Sequence, residues 1–289
     1  MNLSNLKNVI VKNMIYKNSD ETFVIKDYVF LMMLMGNDFM PHFPSLSIRT
    51  FGLQMLLDVY KTQINKKGLF LIDIGSNIIW KNVREIFKYF SELEHENLKK
   101  EYGIRKKIYK SVSNKSLNKE EKLLNLPITN NFKEEYINPN APYWENRYYS
   151  TVLRMERNDE NLKKLSINYL EGLEWNMQYY TFGCKSWSWY YKYSYPPLFS
   201  DLIKFTPLWD VELVDNNNRN ISSLEQLSYV LPLESLNNIP VKYRNIVMEY
   251  KKNNEIIIDW SYCRYFWESH VDFVDENLNE LRNILKNIE

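Results

Sequence analysis

Two segments of the chain carry side chains that could do chemistry. The first is Gly36-Asn37-Asp38-Phe39, which follows an apolar run at 23–35 and precedes two prolines in the stretch 40–44. A helix that is apolar all round is a buried helix, and glycine is typical of its end. Asp38 is therefore expected on a rigid loop beyond a buried helix, where a carboxylate can hold a hard ion such as Mg²⁺. The alternative is a structural one, in which Asp38 caps a helix or closes an Asx turn.

The second segment, 184–202, is rich in aromatic residues. Trp187 and Trp189 lie among tyrosines at 190, 191, 193 and 195, with Lys185 and Lys192 interspersed. Rings beside cations can form a platform on which single-stranded bases stack, worth about 1–3 kcal/mol per base. The alternative is an aromatic corner of the core that ends at the two prolines 196–197.

Composition excludes several other chemistries. The 289 residues contain 37 Lys+Arg and 36 Asp+Glu, so the net charge of +1 provides no general attraction for nucleic acid. The seven glycines never occur as GxG, which excludes a Rossmann fingerprint and a Walker A loop. Two cysteines and three scattered histidines make neither a disulfide scaffold nor a zinc site. Any metal must therefore be held by carboxylates, which implies Mg²⁺ or Mn²⁺.

Periodicity and glycine scarcity predict a mainly α fold, an irregular helical domain with a few short β-strands. Helices are predicted at 23–35, 48–61, from 79 past 93, at 158–182, from 223 onward (a shorter one), at 241–250 and from 275 to the end, and strands at 68–75 and 255–258. The second helix should bury Ile48, Phe51, Met55 and Val59, and Ser223 with Gln226 resembles a capping box. Residues 1–22 are interpreted as a lead-in to one domain, 23–289. Within that domain, Lys/Asn-rich residues 96–140 are expected to form a mobile insertion. Its lysines at 99, 100, 106, 107 and 110 could contact phosphate, but the glutamates between them favour a solvated surface.

Two observations bear on location. The N-terminus lacks the apolar core and cleavage site of a signal peptide, and the longest apolar run, 28–35, is too short to span a bilayer. We therefore expect a cytoplasmic protein without membrane association.

Both segments resemble the signatures of one family. DYVFLMMLMGNDFMPHFPSLSIR (27–49) and YLEGLEWNMQYYTFGCKSWSWYYKYSYPPLFSDL (169–202) are similar to two signatures of the 5′-3′ exoribonucleases (the Xrn/Rat nucleases), in the same order and at a similar separation. WENRYY (144–149) resembles a further family element, as do shorter stretches downstream.

The resemblance implies degradation of single-stranded RNA from a 5′-monophosphate end, as in mRNA turnover, with Mg²⁺ or Mn²⁺ held by clustered acids. Asp38 matches one of these acids, as metal ligand and catalytic residue; the others lie in an N-terminal half that this chain does not match. Trp187 or Trp189, preferably Trp189, matches the ring that stacks on RNA, with Asn37, His42, Tyr190 and Tyr191 in support.

We therefore expect the helical second half of a nuclease core, inactive alone, whose acidic half is a separate or missing polypeptide. The metal would bind only if acids outside this chain complete the site. A non-catalytic RNA- or protein-binding module and an inactive remnant are the alternatives, and a nuclear location is the alternative to the cytoplasm.

Overall fold

A computed structural model describes residues 2–16, 20–113, 115, 117–215, 221–252, 255–273 and 277–287. These residues form a mainly α fold, as predicted. The helices within these ranges are α1 (Leu3–Met14), α2 (Glu21–Met33), α3 (Gly52–Val59), α4 (Trp80–Ser113), α5 (Lys119–Leu124), α6 (Leu126–Thr129), α7 (Phe132–Ile137), α8 (Trp144–Val152), α9 (Asp159–Phe182), α10 (Phe199–Phe205), α11 (Ser223–Val230), α12 (Val241–Lys252) and α13 (Leu278–Lys286). Strands β1 (Ile256–Asp259) and β2 (His270–Phe273) pair antiparallel, with Ile256 opposite Phe273 and Asp259 opposite His270.

The largest core cluster is built on α2 and the first half of α4, with the C-terminal half of α9 packed against them. The prediction of a strand at 68–75 is wrong, because this stretch forms only an isolated bridge between Ile72 and Ile78. The backbone N–H groups of Leu71 and Ile72 instead donate to the buried carboxylate of Asp27 on α2, at 2.9–3.0 Å. Tyr60 donates its hydroxyl to the same carboxylate at 2.7 Å. These two N–H groups, which would pair with a neighbouring strand in a sheet, are therefore bonded to the side chain of Asp27.

The predicted helix 48–61 is shorter than expected at its start. The α-helix begins at Gly52 and continues beyond Val59 as one π-helical turn, Tyr60–Ile64. Ile48, expected on the buried face, lies before the helix and is 56% exposed. A Cβ on Gly52 would lie 2.4 Å from the carbonyl carbon of Leu46, so the helix can start only where glycine permits this close approach.

The stretch 96–140 is more regular than its composition suggested. Helix α4 runs through its first part, and α5, α6 and α7 follow. Leu98 and Ile137 are buried in a second core cluster together with α8 and the N-terminal half of α9. Glu134 on α7 pairs with Arg105 on α4, with two hydrogen bonds of 2.5 and 2.6 Å. The mobility of this stretch and the domain division remain predictions.

The last helices form a third core cluster, whose buried residues all come from the stretch 236–285. The predicted positions of three elements are confirmed to within one or two residues: α9, α12 and β1. The capping box of α11 is formed by Ser222 and Glu225, one residue before the predicted pair. The predicted start of the last helix, at 275, lies outside the described residues.

Candidate nucleic-acid interface

The loop that carries Asp38 is a tight turn after the end of α2. Gly36 has φ +88°, and a Cβ there would lie 3.0 Å from the backbone nitrogen of His42, so this position favours glycine. The side-chain oxygen of Asn37 accepts hydrogen bonds from the backbone N–H groups of Phe39 and Met40, both at 2.9 Å. The alternative prediction for Asp38 was that it closes an Asx turn. In the structure Asn37 closes this turn instead.

Asp38 occupies the exposed side of this turn. Within the described ranges its carboxylate has no hydrogen bond or ion pair to another side chain or to the backbone. The turn thus presents a solvated carboxylate at a defined place, which is the arrangement that a ligand or metal ion would require.

Helix α9 holds the turn in position. The side-chain N–H of Asn37 donates to Oδ1 of Asn176 at 2.9 Å, and the hydroxyl of Tyr180 lies 3.4 Å from the same donor. Asn176 is itself oriented, because its amide nitrogen donates to the carbonyl of Gly172 at 2.8 Å. The next residue of the turn, Phe39, packs edge-on against Trp175, with ring centres 5.0 Å apart.

The two candidate stacking residues differ in exposure. Trp187 is 62% exposed, and no aromatic stacking partner is found for it in the described part of the chain. Trp189 is half-buried and stacks on Trp175, with ring centres 5.3 Å apart and planes 24° apart. Its indole N–H donates to Glu171 at 3.3 Å. A Cβ on Gly172 would lie 2.9 Å from this ring, so glycine permits the ring to lie directly on α9.

Of the supporting residues, Tyr190 is 65% exposed, whereas Tyr191 points into the core. The hydroxyl of Tyr191 donates to the carbonyl of Tyr195 at 2.8 Å, and burial raises its pKa well above the usual range. His42 is half-buried behind the turn. Burial, with a smaller contribution from His270, lowers the pKa of His42 to about 4, so this imidazole is neutral at physiological pH.

The structure brings the two sequence motifs together through a chain of rings. Phe39 of the Asp38 turn contacts Trp175, and Trp175 stacks on Trp189 of the aromatic segment. Trp175, Asn176 and Gly172 were not among the predicted site residues. Their signal was available, since all three lie in the second motif.

The cations of the aromatic segment are not equivalent. Lys185 pairs with Glu174 on α9 at 3.1 Å and with Glu212. Burial disfavours its charge, but these two carboxylates outweigh burial and raise the pKa of Lys185. Lys192 is exposed, and its ammonium makes no ion pair within the described ranges. Lys192 is thus the cation beside the rings that is available to a phosphate.

Asp38 alone does not make a metal site. No group of three or more His, Cys, Asp or Glu side chains that could hold a metal ion occurs among the residues that the structure describes. Mg²⁺ takes six oxygen ligands and keeps several of them as water, so one carboxylate can anchor the ion but cannot define a site. The residues described here therefore do not by themselves fit a resident metal.

A family profile described as the Xrn1 helical domain matches residues 18–139 and 129–281. This chain belongs to the Xrn family. It is 26% identical over 304 residues to "5'-3' exoribonuclease 2 homolog" of Drosophila melanogaster, covering 87% of this chain and 33% of the fly protein. It is 26% identical to "5'-3' exoribonuclease 1" of Homo sapiens, covering 82% and 16%, and 33% identical to "5'-3' exoribonuclease 1" of Saccharomyces cerevisiae, covering 46% and 9%.

The chain thus spans about a third or less of the relatives it matches. It is an Xrn helical domain with homology to part of the 5′-3′ exoribonucleases. None of the helices in the described ranges combines the length and the apolar character that crossing a membrane requires.

Proposed function

We propose that this Xrn helical domain holds single-stranded RNA in a 5′-3′ exoribonuclease, between the Asp38 turn and the aromatic segment. The observation that carries the proposal is the contact of both the Asp38 turn and the aromatic segment 184–202 with one helix, α9. Asn37 bonds to Asn176 of α9, and Trp189 stacks on Trp175 one residue earlier on the same helix. A carboxylate and a set of rings are thereby fixed relative to each other on a rigid element, as a substrate-positioning site requires.

Stacking suits the substrate. A processive exonuclease must accept every base, and a ring contacts the π-face that all bases share. Trp187 offers the more exposed ring, whereas Trp189, which the resemblance favours, is already fixed by Trp175 on one side. Either ring can serve, and single substitutions separate them.

The proposed metal contribution of Asp38 is one ligand to Mg²⁺ or Mn²⁺, with the other ligands coming from carboxylates outside this chain. We place the polypeptide that supplies them on the face that carries Asp38. Exposed rings follow on from the turn along α9 and the aromatic segment. They are Tyr179, Tyr180, Phe182, Trp187 and Tyr190, each 40–69% exposed. An apolar surface of this kind next to a lone carboxylate is typical of an interaction site.

The binding test compares Trp187→Ala and Trp189→Ala with a Lys99/Lys100/Lys106/Lys107 quadruple alanine variant, using a fluorescent single-stranded oligouridylate. Loss of one stacked base weakens binding about tenfold, within the measured range for such contacts. We expect a roughly tenfold loss of affinity in at least one tryptophan variant. The lysine variant should lose less affinity, since Lys99 already pairs with Glu96 at 3.1 Å. If the lysine variant loses binding while both tryptophan variants keep it, these rings do not contact RNA and the platform is wrong.

The activity test uses the purified chain with 5′-monophosphorylated RNA and Mg²⁺ or Mn²⁺. We expect no degradation at a rate typical of a nuclease, because one carboxylate cannot hold the ions of a two-metal site. Robust degradation that Asp38→Ala abolishes would show that other residues of this chain complete the site.

A non-catalytic RNA-binding module is the second candidate, and the exposed rings of Trp187 and Tyr190 favour it because they can contact bases without a metal ion. The two candidates separate when the N-terminal part of a relative is supplied in trans. Degradation that depends on Asp38 supports the nuclease, whereas unchanged binding without degradation supports the binding module.

A further inference from the structure

A second exposed aromatic stack lies in the turn between β1 and β2, outside the interface described above. The rings of Tyr265 and Trp267 lie 5.6 Å apart with planes 10° from parallel. Trp267 is 76% exposed and Tyr265 is 45% exposed. Because Tyr265 occupies one side of the stack, a large flat face of Trp267 remains open to solvent.

Two guanidinium groups flank this stack. The Cζ atom of Arg49 lies 5.1 Å from the ring centre of Tyr265, and that of Arg264 lies 5.9 Å from it. Arg49 pairs with Glu268, whereas the guanidinium of Arg264 makes no ion pair within the described ranges. The stack therefore carries an uncompensated positive charge at its edge.

The turn is held in shape before any ligand binds. A carboxylate oxygen of Glu268 accepts from the backbone N–H groups of Arg264 at 2.7 Å and Tyr265 at 3.3 Å. From α4, Arg105 donates to the carbonyls of Tyr262 and Cys263 at 3.2 and 2.9 Å. A surface that is already ordered loses little conformational entropy when a ligand binds.

The same residues border a cavity. Arg49, Arg264 and Tyr265 line a space of about 510 Å³ that reaches inward to His42 and His270. This volume is in the range of small-molecule sites, so the surface combines a flat ring, a free cation and an adjoining recess.

We propose that the Tyr265–Trp267 stack with Arg264 is a second contact site for single-stranded RNA. A base stacks on the open face of Trp267, and its phosphate lies against the guanidinium of Arg264. Parallel planar groups beside an unpaired cation match a polyanion with flat bases better than they match a peptide. The inference rests on the proposed function only in the choice of RNA as ligand.

The test measures binding of a fluorescent oligouridylate to the full chain. Trp267→Ala should weaken binding about tenfold, and Trp267→Phe should recover part of the loss because it restores a ring. Arg264→Gln should weaken binding and make it less dependent on salt, since one phosphate contact is removed. Trp209→Ala is the matched control, because Trp209 is 70% exposed and has no ring or cation partner in the described residues.

Photo-cross-linking with 4-thiouridine oligonucleotides then locates the contact by mass spectrometry. Cross-links at 265–267 are expected. Unchanged affinity of Trp267→Ala together with cross-links confined to 187–190 would overturn this site and leave the proposed function intact. Dependence on Trp267 but on neither Trp187 nor Trp189 would instead refute the proposed platform. Failure of the chain to bind RNA refutes both, and binding of a peptide ligand that competes at Trp267 would assign the stack to a protein partner.

Discussion

The hydrogen bond from Asn37 to Asn176 should be the main attachment of the Asp38 turn to α9. Replacing Asn37 by Ala removes three bonds of 2.9 Å, two that close the turn and one that reaches the helix. Each such bond contributes about 0.5–1.5 kcal/mol net, so removing all three should lower the free energy of unfolding by about 1.5–4.5 kcal/mol.

Asn37→Asp separates the two functions of this side chain. The carboxylate still accepts from Phe39 and Met40, but it sets an oxygen against Oδ1 of Asn176. Asn176 cannot turn its amide without giving up the 2.8 Å bond to Gly172. We expect Asn37→Asp to lower the free energy of unfolding by about 1–3 kcal/mol, because one hydrogen bond is missing and one acceptor is left unpaired.

A double-mutant cycle that combines Asn37→Ala with Asn176→Ala isolates the hydrogen bond between these two side chains. Urea unfolding of the wild type, both single variants and the double variant should give a coupling free energy of about 0.5–1.5 kcal/mol. Asn245→Ala, an exposed asparagine on α12, is the control and should change stability by less than about 0.5 kcal/mol. A coupling of zero would show that this hydrogen bond does not hold the turn on α9 and would refute the reasoning.

Three further predictions concern residues around the site. Gly172→Ala should lower the free energy of unfolding by about 1–3 kcal/mol and alter the near-UV circular dichroism spectrum. The reason is that the new Cβ would lie 2.3 Å from the sulfur of Met40 and 2.9 Å from the ring of Trp189. An unchanged spectrum would contradict this packing. Burial raises the pKa of Asp27 from 3.8 to about 7, so its folded form holds a proton more tightly than the unfolded chain. The stability of the wild type relative to Asp27→Asn should therefore be highest below pH 3.8 and fall by about 4 kcal/mol as pH rises through 7, measured by urea unfolding. For His42 the pH dependence has the opposite sign, because burial lowers its pKa from 6.5 to about 4. The stability of the wild type relative to His42→Gln should therefore be constant above pH 6.5 and fall by about 3 kcal/mol as the pH is lowered to 4. In either series, a stability difference that does not change with pH would refute burial as the cause of the pKa shift.

Much of the helical framework could be predicted from the sequence because its signals are local. Helix α9 has an asparagine N-cap and ends at Gly183, whose φ of +102° suits glycine. The spacing of apolar residues located the first part of α4, and the Asn- and Pro-marked turns that precede α12 located that helix; both signals are also local. The family motifs located the Asp38 turn and the tryptophans, whose roles remain predictions.

Long-range polar contacts account for what the sequence analysis missed. The absence of a strand at 68–75 depends on Asp27, which lies more than forty residues earlier in the chain. The regular structure of 96–140 depends on the ion pair between Arg105 and Glu134 and on burial of Leu98. The role of Asn176 depends on a partner 139 residues away. Local composition and periodicity do not report such pairs.

The division of the core into three clusters has a consequence for how this fold can vary. Helices α4 and α9 each contribute buried side chains to both of the first two clusters, so those clusters share their two longest helices. The third cluster takes all its buried side chains from 236–285. Sequence drift or replacement of α12 and α13, outside the β1–β2 turn with its Tyr265–Trp267 stack, leaves the contacts of α9 with Asn37 and Trp189 in place. The C-terminal helices are therefore the part of this domain that evolution can remodel at least expense to the interface.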